Sequence, residues 1–137
     1  MPKKIVKEPM ASAVSHLTEK DSEREQRIRN EYLVDTYNDP QERAMGWYYS
    51  ISDKIFEGVR CRCFKERSMS PLAIGDKVDI IGMPPEGDCM REMFVFIKWK
   101  GRRIAVPLDQ LVPLDEDDES TQVIEDWLYW CLMGYEF

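Results

Sequence analysis

The hydrophobic period of this chain changes at Gly58, and that change commits it to a mixed architecture of helices followed by strands. Before Gly58, Ile28, Tyr32, Leu33 and Tyr37 recur at spacings of three to five with charges between them, as a half-buried helix requires. The pattern predicts a helix from Ser22 to about Asn38. Asp39-Pro40-Gln41-Glu42 then offers a capping acid, a proline at the first helical position and a glutamate at the third, a start signal for a second helix. Ala44, Trp47, Tyr48, Ile51 and Ile55 give it one apolar face, and Gly58 is placed to close it. Beyond Gly58 the period is two. Residues 59–63, 77–82 and 92–99 read as strands, and Lys100-Gly101 as a hairpin turn into 102–106, which Pro107 bars from a central position. Val123, Ile124, Trp127, Leu128 and Cys131 restore the helical period over residues 120–133. The expected fold class is α+β, with two N-terminal helices and a C-terminal helix packed on a small SH3-like β-barrel.

At 137 residues, with 43% hydrophobic and 11% aromatic content, the chain suits one domain with a real core. Residues 1–21 hold two prolines and no lasting period, and read as a disordered arm. Residues 22–137 form the domain, with helices within 23–57, the barrel at 58–113, and an acidic segment with the last helix at 114–137. No apolar run approaches a membrane span and no export leader is visible, so a soluble cytoplasmic protein is expected. Cys61 and Cys63 lie two apart on a strand and cannot bridge normally, while Cys89, Cys131 and the single His16 are too scattered for zinc. Free thiols follow.

The net charge of −7 conceals a strong asymmetry. Between Ile104 and Phe137 stand nine acids and no Lys or Arg, which leaves seventeen acids against nineteen bases elsewhere. Such a field repels nucleic acid and membrane phosphates and attracts cations or a basic partner. Asp115, Glu116, Asp117, Asp118 and Glu119 are the first candidate site, because Ca²⁺ takes six to eight hard oxygens and adjacent carboxylates can supply several. The run is not an EF-hand: counted from Asp115, the sixth position is Ser120 instead of the turn-making glycine. A solvated acidic face beside a helix N-terminus explains the same residues without any ligand. A second candidate is the corner between the first two helices, where Asp35, Asn38, Asp39 and Glu42 crowd oxygens into one turn. There the competing roles are helix capping for Asp39 and Glu42, and pairing with an arginine for Asp35. Catalysis finds no support: there is no phosphate-cradling glycine loop, nucleophile elbow or HExxH, and the one histidine falls in the arm. Arg60, Arg62, Lys65, Arg67, Arg102 and Arg103 would make a basic strand surface, read here as solvated or acid-paired instead of as a nucleic-acid site.

Six blocks carry a family resemblance: VDTY (34–37), ERAMGWYY (42–49), SPLAIGDKV (70–78), EMFVFIKW (92–99), AVPLDQL (105–111) and DWLYWCLMGYEF (126–137). In order and spacing they make the chain similar to the cyanobacterial calcium-binding protein family, the CcbP-like proteins, over roughly residues 24–137. The resemblance implies a small cytoplasmic, non-enzymatic protein that binds Ca²⁺ without EF-hands and takes part in intracellular calcium control and signalling. It matches Asp35 and Glu42 to acidic positions of the family and residues 115–119 to an acidic region. The reading that results is a buffer or sensor binding one or two Ca²⁺, with Asp35, Asp39, Glu42, Asp115, Asp117, Asp118 and Glu119 as candidate ligands. The alternative is an SH3-like interaction module whose acidic segment docks an unidentified basic protein, with neither nucleic acid nor membrane as partner.

Overall fold

The computed structural model describes residues 10–55, 59–114, 118–135 and 137. Gly58, and with it the expected close of the second helix, lies outside them. Helix α1 (Ser22–Arg27) opens where the pattern placed it, with Asp21 accepting a hydrogen bond from the Arg24 amide at 3.0 Å. It does not run on to Asn38. It widens into a π-helical turn, Ile28–Tyr32, and stops, because the Thr36 hydroxyl and amide both donate to the Leu33 carbonyl and draw the backbone out of the helix. Asp35, Tyr37 and Asn38 then take left-handed φ values of 61°, 46° and 66°.

Helix α2 (Pro40–Lys54) begins as expected: Asp39 Oδ1 accepts from the Gln41 and Glu42 amides, with Pro40 in the first turn. The reciprocal half of a capping box is missing, since the Asp39 amide donates to the Thr36 carbonyl and not to Glu42. Gly46 breaks helix propensity for a reason of contact. A β-carbon there would stand 2.4 Å from the Tyr32 carbonyl oxygen, so only glycine lets α2 approach the π turn.

Five strands follow, β1 (Val59–Cys63), β2 (Lys77–Gly82), β3 (Phe94–Trp99), β4 (Arg102–Pro107) and β5 (Leu111–Pro113), all antiparallel in the order β4-β3-β2-β1-β5. The sheet is open, with β4 and β5 at its edges, and the expected SH3-like barrel is not formed. Pro107 at the end of an edge strand satisfies the constraint that the sequence placed on it. One β-bulge sits in β2, where Ile80 faces Ile97 and Gly82 faces Phe96, leaving Ile81 between them. Helix α3 (Glu119–Leu132) packs against α2 and β5, and the core fills the space between these helices and one side of the sheet. Cys61 and Cys63 are buried on that inner side and form no disulfide. Burial pushes the Cys63 thiol up to about 11. Trp47 of α2 is fully buried against Trp127 and Trp130 of α3, with ring centroids 5.1 and 5.7 Å apart. Among the described residues no helix is long and apolar enough to cross a membrane.

Residues 10–21 correct the expectation of an arm through residue 21. Two 3₁₀ turns, Ala11–Ala13 and Ser15–Leu17, bury Val14 and Leu17 in the core, and the Met10 amide donates to the Phe64 carbonyl at 2.7 Å. Two buried side chains are too few to give a period, which is why the segment reads as featureless. Residues 1–9 of the expected arm lie outside the described residues.

The helices are joined by a buried ion cluster. Asp126 of α3 has no exposure, and its carboxylate accepts from Arg24 Nη1 (2.6 Å), Arg27 Nη2 (2.7 Å), Arg27 Nε (3.0 Å) and Tyr32 Oη (2.7 Å). Burial, with the carboxylate beside it, pushes the Tyr32 phenol above its ordinary value. Asp126→Ala would leave the partly buried Arg27 guanidinium without its counter-ion and Arg24 with only Asp21, at 3.5 Å, a loss of about 3–5 kcal/mol, measured by urea unfolding. Gly46→Ala should also destabilise, although alanine is favoured over glycine in a helix by about 1 kcal/mol. An unchanged or raised midpoint would show that the approach to Tyr32 is not constrained.

Candidate functional site

The corner between the π turn and α2 assembles oxygen donors without sulfur or imidazole. Leu33 to Asp39 turn tightly through the three left-handed residues, and the amides that close the turn are those of Thr36 and Asp39, donating to the carbonyls of Leu33 and Thr36. Asn38 is engaged, its Oδ1 accepting from Arg43 Nη2 at 2.6 Å. Asp39 uses only Oδ1 as a cap, so Oδ2 is left over. The carboxylates of Asp35 and Glu42 meet no partner among the described residues, so the arginine pairing that competes with a ligand role for Asp35 is not formed there. Arg29 and Arg43 flank the same hollow.

The acidic segment is described only from Asp118. Asp115 and Asp117 lie outside the described residues, so the structure does not relate them to the corner. Asp118 caps α3: its Oδ1 accepts from the Thr121 amide (2.8 Å) and the Ser120 hydroxyl (2.7 Å). The Ser120 hydroxyl, followed by the Thr121 amide, holds the Asp118 carboxyl below its ordinary value despite opposing desolvation. Glu119 occupies the first turn of α3, where the helix dipole favours an acid. Both residues line a cavity of about 650 Å³ together with Arg24, Arg27 and Glu125.

Other acids of the C-terminal quarter are already matched to bases. Asp109 accepts from Lys65 and Arg67, each at 3.0 Å, Asp126 holds Arg24 and Arg27, and Glu125 contacts His16. The negative field that the sequence suggests is therefore partly spent inside the fold. Glu25, in helix α1 and only 3% exposed, was not anticipated as a special residue. It accepts from the hydroxyls of Tyr129 (2.5 Å) and Tyr135 (2.9 Å), and the Tyr129 bond holds its carboxyl below the usual range. A buried glutamate in a row of six charged or polar residues, Ser22 to Arg27, leaves no signal in sequence alone.

Among the described residues, no three His, Cys, Asp or Glu side chains converge closely enough to hold a metal ion. The fit to calcium therefore rests on donor chemistry. Hard carboxylate and carbonyl oxygens with unused lone pairs on a short turn are the ligands that Ca²⁺ takes, and soft-metal ligands are lacking there.

An open antiparallel sheet with three helices on one side and oxygen-donor turns unlike an EF-hand defines a non-EF-hand α+β class. The chain belongs to the CcbP calcium-binding family, whose sequence profile matches residues 26–131. It is similar to the crystal structure of Anabaena CcbP at 36% identity and a TM-score of 0.72, covering 87% of this chain and 97% of that one. It is likewise similar to a calcium binding protein in the calcium-binding form, at 33% identity and a TM-score of 0.73, covering 88% and 98%. No curated protein matches.

Asp118 gives a pH prediction. Its carboxyl is lowered in the folded state, so its contribution is present above the unfolded value of ~3.9 and is lost as pH falls through the lower folded value. Asp118→Asn keeps a good N-cap but removes this titration. The parent should accordingly lose more stability than the variant as pH drops below ~4, measured by urea midpoints across pH 2.5–6.

Proposed function

We propose that this chain binds Ca²⁺ reversibly in the cytoplasm, with Asp35, Asp39 Oδ2 and Glu42 supplying the corner site and Asp115, Asp117, Asp118 and Glu119 a second acidic site. The observation that carries the reading is the Asp35 carboxylate, without a partner among the described residues, on a turn that passes through three left-handed residues in a chain of the calcium-binding family. Such strain, of the order of 1–3 kcal/mol per residue, is stored where the surrounding structure has a use for it. Bound calcium supplies two positive charges that relieve repulsion between the carboxylates. The turn contributes backbone carbonyls and fixes their direction.

Two modes of use follow from the same site. As a buffer the chain only takes up the ion, and folding is stabilised by RT ln(1 + [Ca²⁺]/Kd), about 2.7 kcal/mol at one hundred times Kd. Sensing is favoured by Val34 and Tyr37, 57% and 85% exposed on the same turn, which an ion ordering that turn would present to a protein partner.

Isothermal titration of the metal-stripped protein with Ca²⁺ against excess Mg²⁺ tests the reading. Saturable heat should be lost or weakened at least tenfold in Asp35→Ala, and reduced in stoichiometry or affinity in a variant neutralised at Asp117, Asp118 and Glu119. Undiminished binding in both would move the site elsewhere, and no saturable heat in the parent would reject calcium binding.

A further inference from the structure

The helices cover one side of the sheet, and the other side faces solvent with an unusual arrangement of charge. On β1 and β2, Arg62 lies directly across from Lys77, and on β3 and β4, Lys98 lies directly across from Arg103. Like charges directly opposite one another destabilise an antiparallel pair. None of these four side chains has a carboxylate partner among the described residues, whereas Arg60 beside them pairs with Asp79. Two like-charge pairs on one open face, with Asp79 between them engaged by Arg60, leave a net positive surface suited to a polyanion.

The same face carries a ring and an empty floor. Phe96 is half-buried, with the Arg103 guanidinium 4.4 Å from its ring centroid. The residue across from it on β2 is Gly82, where an added β-carbon would meet nothing within 4 Å. Opposed residues of an antiparallel pair share a face, so a side-chain-free patch adjoins a half-buried aromatic ring that already carries one cation. Glycine within a strand often marks a close approach by a ligand. An acidic peptide needs the cations but has no use for a ring beside an open floor, whereas a nucleobase stacks on such a ring.

We propose that the solvent-facing side of the sheet binds single-stranded nucleic acid, with phosphates on Arg62, Lys77, Lys98 and Arg103 and a base stacked at Phe96 over Gly82. The net charge of −7 does not forbid this. The acids of α3 stand on the far side of the sheet, a helix diameter of about 10 Å away, and the Debye length is only about 8 Å at physiological salt.

The test is fluorescence anisotropy of the full chain with labelled dT12 and rU12, in EDTA so that calcium plays no part. Four phosphate contacts predict log K falling against log salt with a slope near −0.7 × 4, roughly −3. Lys98→Glu separates a structural from a binding role, because it turns a repulsive cross-strand pair into an attractive one. That variant should unfold at a higher temperature than the parent yet bind the oligonucleotide about tenfold more weakly. Phe96→Ala should weaken binding about tenfold at an unchanged salt slope. The proposal is overturned if the parent shows no anisotropy change at 50 mM salt, if Lys98→Glu binds as well as the parent, or if a labelled polyglutamate peptide binds as tightly and competes. The last result would assign the face to an acidic protein.

Discussion

Asp126 is the residue on which the arrangement of the helices depends. A carboxylate with no exposure is tolerable only when its charge and lone pairs are met, and Arg24, Arg27 and Tyr32 meet them with four hydrogen bonds. Those partners come from α1 and the π turn, so satisfying one buried acid sets α3 against the N-terminal half of the chain. Glu25, bonded to Tyr129 and Tyr135, ties the same elements a second time from the opposite direction. The π turn serves both ends of this contact, since its Tyr32 hydroxyl reaches Asp126 while its Tyr32 carbonyl sits against Gly46 of α2.

With those charges committed, the acids sort into two populations. Asp126, Glu25 and Asp109 hold basic or phenolic partners and belong to the architecture. Asp35 and Glu42 meet no partner among the described residues, and Asp39 and Asp118 each spend one oxygen on a cap. Under the proposed function, an ion that takes six to eight oxygens would draw on the second population. The basic residues sort in the same way. Arg24, Arg27, Lys65 and Arg67 neutralise acids of the C-terminal quarter, while Arg62, Lys77, Lys98 and Arg103 face each other across the open side of the sheet.

What could be read from the sequence was what periodicity and capping report. The start of α2 at Asp39-Pro40, strands β1 to β4 and the span of α3 follow from patterns that tertiary contacts reinforce. The end of α1 did not, because Thr36 competes for the Leu33 carbonyl through a side-chain bond that no period announces. Nor did the open sheet: alternation fixes which face is buried but not whether β4 and β5 meet. Among the candidate residues, the place of Asp35 on the corner after the first helix was legible from its block and its turn. The capping role of Asp118 was not, since it depends on the bonds that Ser120 and Thr121 make to its carboxylate.

Under the proposed function, calcium acts on the carboxylates the fold leaves over and not on those that hold it together. Amide NMR of the ¹⁵N-labelled protein through a Ca²⁺ titration addresses it residue by residue. Saturable shifts should concentrate at residues 33–42 and 115–121, with the amides around Asp126 and Glu25 little changed. Shifts centred on Arg24, Arg27 and Asp126, or a uniform drift with no saturation, would contradict it.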